Sequence, residues 1–147
     1  ILSNQLQRSE GSLAEMVIHE LTHATIFIKD SLDFNENLAS FIGEKGAIKF
    51  LKYRYGTESA YRYDYINSEQ DYIKYTNHML TGTKYLDSLY KSFDSSMPDS
   101  LKNEEKTNMI RKIVNTVDTI TFHNPNRFKG IYADILPNNC YFLSFTR

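Results

Sequence analysis

The sequence predicts a mainly α fold, on three observations. From Ser12 no Gly or Pro interrupts the chain until Gly43, and the apolar residues in that stretch recur at helical spacing. A second periodic run, Met109, Ile110, Ile113, Val114, Val117 and Ile120, repeats at three and four residues. Between them, Glu58 to about Phe93 carries helix-spaced anchors at Ile66, Ile73, Met79, Leu80, Leu86, Leu89 and Phe93.

The first helix opens at Ser12-Leu13-Ala14-Glu15, which has the Ser and Glu spacing of a capping box. At 100° per residue, Leu13, Val17, Leu21, Ala24 and Ile28 share one side, and His19 and His23 lie opposite. Ile18 and Ile26 fill much of the remaining circumference, so the pattern predicts a central, buried helix whose one polar stripe holds the histidines and Glu20. Ionisable groups within such a helix are costly unless paired or coordinated.

The stripe reads His19-Glu20-Leu21-Thr22-His23. Residues four apart on a helix have Cβ atoms about 5 to 6 Å apart, so both imidazoles can reach one ion at a Zn–N distance of about 2 Å. Glu20 sits one step around the helix, where its carboxylate can take a proton from a water at the metal without being a ligand. The expectation is a zinc hydrolase with His19 and His23 as ligands and Glu20 as general base. The bland alternative is two satisfied histidines and a surface glutamate.

Catalytic zinc normally takes three protein ligands. Twelve residues separate His23 from Glu36, enough to end one helix, turn near Lys29 to Asp33 and begin an antiparallel second one. Glu36 is the expected third ligand, with Glu44 as the fallback two turns on. Ala39, Ser40, Gly43 and Ala47 follow Glu36 on its face, a strip of small side chains that lets two helix axes approach. Against this, Asp33-Phe34-Asn35-Glu36 has capping-box spacing, which would turn Glu36 back toward the Asp33 amide. Asp33 is expected to cap the helix, and Asn35 to act as a supporting or capping group.

His-Glu-x-x-His followed by Asn35-Glu36-x-x-Ala39-Ser40-Phe41 resembles the gluzincin arrangement of membrane alanyl aminopeptidases, with a shorter spacer. Gly11 to Gly46, including Phe34-Asn35-Glu36 and Gly43-Glu44-Lys45-Gly46, is similar to a bacterial family called predicted aminopeptidases. A weaker similarity returns at Asn138-Asn139-Cys140-Tyr141. The resemblance implies a zincin-like helical metallopeptidase with Glu36 as third zinc ligand and a peptide as substrate. The aminopeptidase specificity is carried by the family name alone. In zincins an edge strand near the active-site helix binds substrate by strand addition, and Ile1–Leu6 is the candidate remnant. An oxyanion donor is also needed; Tyr141 is the candidate and Tyr132 the runner-up. Family members often carry an N-terminal anchor, which implies a cell-envelope location through a segment preceding Ile1.

The second helix should run from Glu36 to about Tyr55 and stop at Gly56. The region from Glu58 to Phe93 reads as one long helix or as two broken at Gly82. Its dense tyrosines, 61, 63, 65, 72, 75, 85 and 90, suit half-buried helix faces with one wet end. Ser95 to Ser100 is a loop, and His123-Asn124-Pro125-Asn126 a turn. His78 and His123 read as satisfied or surface histidines.

One domain spanning 1–147 is expected, as a partial chain, since it opens without Met and closes in the apolar run Tyr141 to Phe145. Seventeen basic and eighteen acidic residues give a net charge of −1, with no electrostatic footprint for nucleic acid or an anionic membrane. One cysteine, Cys140, rules out an internal disulfide and a cysteine-based zinc site. No stretch is apolar enough to span a bilayer. Two competing readings remain: a metal-stabilised but catalytically silent binding domain, and a helical interaction module with a coincidental motif.

Overall fold

The computed structural model describes residues 7–132 and 134–146. The Ile1–Leu6 segment expected as an edge strand lies outside them. The chain is mainly α, and the described residues contain no strand. Five helices follow in order: α1 (Glu10–Thr25), α2 (Leu32–Tyr55), α3 (Ala60–Ser92), α4 (Asp99–Asn115) and α5 (Asn139–Leu143), with short 3-10 turns at Thr116–Thr119 and Ser144–Thr146. They form two compact units, Ile1–Ser68 and Glu69–Arg147, and α3 runs through the junction.

In the first unit α1 starts earlier than expected. Ser9 is the N-cap, its hydroxyl accepting the Ser12 amide at 3.3 Å, so Ser12 is the capped residue rather than the cap. α2 also starts early, at Leu32, which places Asp33 inside the first turn and removes it as a cap; Ser31 precedes the helix without a side-chain cap bond. Gly56 ends α2 as expected, at φ 91, a conformation that glycine adopts without strain. The two helices pack as an antiparallel hairpin, with Ala39, Gly43 and Ala47 buried in the seam and Ser40 exposed. Leu51 and Tyr65 close the core against Gly11, where an added Cβ would come within 2.6 Å of the Tyr65 ring.

The buried surround expected for α1 is not what this unit shows. Leu13 and Val17 are half-buried, whereas Leu21 is 60% exposed and Ala24 and Ile28 are also exposed. A hairpin plus the first turns of α3 covers one side of a helix and cannot surround it.

The second unit packs Tyr75, Met79 and Leu86 of α3 against Ile110 and Ile113 of α4, with Val117, Phe128 and Phe142 completing the core. Gly82 does not break α3. Its missing side chain is the space into which Ile113 packs, and a Cβ there would stand 2.5 Å from Ile113 Cγ2. Asp71 is fully buried and accepts the amides of His123 and Asn124 at 2.8 and 2.9 Å, so the turn is held by a carboxylate. Burial opposes ionisation of Asp71, but those two amides outweigh it and hold the carboxyl below its ordinary range. Of the seven tyrosines expected at helix faces, Tyr65 and Tyr75 are buried, Tyr90 is half-buried, and the others are exposed. The apolar run at the end of the chain forms α5, capped by the Asn138 side chain on the Tyr141 amide.

Gly82→Ala should destabilise the protein by about 1 to 3 kcal/mol although alanine is the better helix former, and the added methyl should become tolerated beside Ile113→Ala. Urea unfolding of the single and double variants checks this. A second expectation concerns pH. Burial and the hydroxyls of Tyr132 and Tyr141 push the Tyr75 phenol far above its usual range, and burial does the same to Tyr132. Above pH about 10 the unfolded chain loses phenolic protons that the folded one keeps, so stability should fall as pH rises beyond that point. Unfolding measured at pH 8, 10 and 11 should show the decline, and Tyr75→Phe should flatten it.

Candidate metal centre

The spacing of His19 and His23, one helical turn apart on α1, turns both rings to the same side. Their centroids are 4.7 Å apart, edge to face, and the two Nε2 atoms are 3.1 Å apart. Glu36, in the second turn of α2, meets both: Oε2 lies 3.5 Å from His19 Nε2 and Oε1 3.3 Å from His23 Nε2. The carboxylate is therefore turned to the imidazoles and not back along its own helix toward Asp33. The three side chains are the one His, Cys, Asp and Glu group of metal-holding geometry among the described residues. Glu44, the fallback ligand, instead pairs with Lys45 at 2.7 Å.

The spacings themselves test whether an ion fits. Two donors bound at 2.0 to 2.1 Å to one tetrahedral ion are about 3.3 to 3.4 Å apart. The two Nε2 atoms, 3.1 Å apart, come near that value, each lies 3.3 to 3.5 Å from one oxygen of the Glu36 carboxylate, and with one donor atom taken from each residue all three lie within 4.8 Å of one another. With the ring protons on Nδ1, both Nε2 lone pairs are free for the same cation, and a carboxylate completes a donor set of the kind that suits zinc. The imidazoles are 22% and 24% exposed and the carboxylate 53%, so the centre opens to solvent on one side and a further ligand or a substrate can enter.

Close approach of the two helices makes these distances possible. At Gly43 a Cβ would lie 3.0 Å from the Glu15 carbonyl oxygen and 3.4 Å from His19 Cβ. Glu15 also accepts the Tyr65 hydroxyl at 3.0 Å, which ties the turn preceding His19 to α3. Glu20, the residue after His19, is exposed. Tyr141 and Tyr132 belong to the second unit. Their hydroxyls converge on that of Tyr75, Tyr141 at 2.6 Å, and their rings meet edge to face. The structure thus brings His19, His23 and Glu36 together, while Tyr141 and Tyr132 are tied into the core of their own unit. His78 is satisfied by the Ile113 carbonyl at 2.9 Å, and His123 meets Gln70 at 3.0 Å, in line with the reading of both as non-ligands.

One role was not legible in the pattern, and one was expected only in outline. Asp71 bracing the 123–124 turn had no local signal, because its partners lie some fifty positions away in sequence. The Asn35 side chain, 3% exposed, bonds both backbone groups of Ile28. Only its place directly before a candidate ligand pointed to it.

Two histidines and a carboxylate on a helical hairpin form a donor set of the kind that could hold one metal ion. Across residues 1–147 the chain matches the family described as putative aminopeptidase, and it belongs to that family. No curated protein and no solved structure matches it. No helix among the described residues is long and apolar enough to cross a membrane.

Gly43→Ala should cost more stability than Gly46→Ala. At Gly46 an added Cβ meets the flexible tip of Ile18 at 2.7 Å, whereas at Gly43 it meets a backbone oxygen that can yield only by separating the helices. Thermal unfolding of the two variants should rank them in that order.

Proposed function

We propose that this chain hydrolyses peptide bonds in a zinc-dependent reaction, with His19, His23 and Glu36 holding the ion and Glu20 as general base. The observation that carries the reading is the convergence of two imidazole Nε2 atoms, 3.1 Å apart, with the Glu36 carboxylate, whose two oxygens lie 3.3 and 3.5 Å from them. Membership of the putative aminopeptidase family supports a peptide as substrate and an end-directed cleavage.

When bound, zinc polarises a scissile carbonyl and lowers the pKa of a water to about 7. The chain's own groups do the rest. His19 and His23 present neutral Nε2 donors from a single helix, so their separation is set by helix geometry. Glu36 brings negative charge from a second helix, which offsets the charge of the ion. Glu20 accepts the proton of the attacking water and returns it to the departing amine nitrogen, which leaves it as the carboxylate it began as.

Elemental analysis of the purified protein should find about one zinc per chain, lost in His19→Ala, His23→Ala and Glu36→Ala. Glu20→Gln should keep its zinc while peptide turnover falls about 10²- to 10⁴-fold. Metal-free protein of normal helicity would sink the metal reading, and unimpaired hydrolysis by Glu20→Gln would sink the proposed base.

A further inference from the structure

The chain leaves α1 at Thr25 and passes through Ile26 in extended conformation, φ −131 and ψ 118. Four residues later it turns through Asp30, whose φ of 59 is the one left-handed conformation of a non-glycine residue among those described. An L side chain disfavours that region, so the turn needs support from its surroundings. Asn35 supplies it. Its Oδ1 accepts the Ile28 amide at 2.9 Å and its Nδ2 donates to the Ile28 carbonyl at 2.7 Å. The carboxamide thus pairs with Ile28 as a peptide group pairs across two strands. Both contacts fix its orientation, because an amide proton needs the oxygen and a carbonyl needs the nitrogen.

This clamp joins the segment that carries the chain out of the His19 and His23 helix to the residue immediately before Glu36. It therefore sets where α2 begins relative to α1, and with it the place of the Glu36 carboxylate. The geometry points to Asn35 as the positioning residue of the metal centre, acting on the ion through Glu36 and the turn without touching it. The inference rests on the proposed zinc centre. Asparagine is required chemically. Aspartate has the same shape but offers the Ile28 carbonyl an oxygen, and alanine offers neither bond.

The test is zinc affinity of the purified full chain, by competition with a chromophoric chelator, together with the visible spectrum of the Co2+-substituted protein, for wild type, Asn35→Asp and Asn35→Ala. Both variants should bind zinc about 10- to 100-fold more weakly and give an altered cobalt spectrum. Their metal-free thermal midpoints should fall modestly, because two part-buried hydrogen bonds are lost, while the fall in zinc affinity exceeds what that drop accounts for. Unchanged affinity and spectrum in the variants, with wild type binding zinc, would overturn the role of Asn35 and leave the centre standing. So would weakened binding that only mirrors lost metal-free stability, or failure of both variants to fold without metal. Wild type that binds no metal would instead overturn the centre itself, and this role with it.

Discussion

Everything at the candidate centre depends on how closely two helices approach. A carboxylate on one helix can share an ion with two imidazoles on another only if the axes come nearer than ordinary side chains allow. The seam between α1 and α2 achieves this by omission: Ala39, Gly43 and Ala47 project almost nothing across it, and Gly43 brings its backbone against Glu15 and His19. Packing of this kind is rigid, because interiors at crystal-like density leave no slack to absorb a methyl group. The same closeness that buries the seam sets donor spacings to a few tenths of an ångström.

The second unit uses related physics for a different end. Gly82 admits Ile113 as Gly43 admits the α1 backbone, and the contact there builds core. Several polar groups inside that core are satisfied within the unit, although Thr76 Oγ1 is buried without a partner among the described residues. Tyr75 gathers the hydroxyls of Tyr132 and Tyr141, Thr83 bonds the Phe142 carbonyl, and Asp71 takes two loop amides. Each exchange removes the penalty of a buried unpaired group and fixes irregular chain, which has no ladder of its own, onto a helix.

How much of this was readable follows from the range of each interaction. The histidine pair and Glu20 follow from helical spacing alone, since one turn of helix fixes their geometry. The small-residue strip after Glu36 announced a close seam because Ala and Gly at three and four residues have few other uses. Glu36 is expected to turn toward the histidines, with the cap as alternative because both positions share one spacing; the start of α2 at Leu32 and the contacts with His19 and His23 remove the cap. Gly82 misled for a related reason. A glycine within a periodic run signals a break or a contact equally, and the partner that makes it a contact, Ile113, is remote in sequence. Helical spacing gathers Leu13, Val17, Leu21, Ala24 and Ile28 on one side and predicts core there, yet burial depends on neighbours, and Leu21 is 60% exposed.

The hairpin holds all three donors in one uninterrupted stretch, from His19 to Glu36, and this has a kinetic consequence. Bringing its ends together closes a loop of 12 residues, a length-dependent entropy cost of about 2 kcal/mol, in a motion that takes about 10 to 100 ns in a flexible chain. All three donors are supplied by the first unit, from two consecutive helices. A closure this local costs little chain entropy, so the donor geometry depends on the formation of two neighbouring helices and not on contacts distant in sequence.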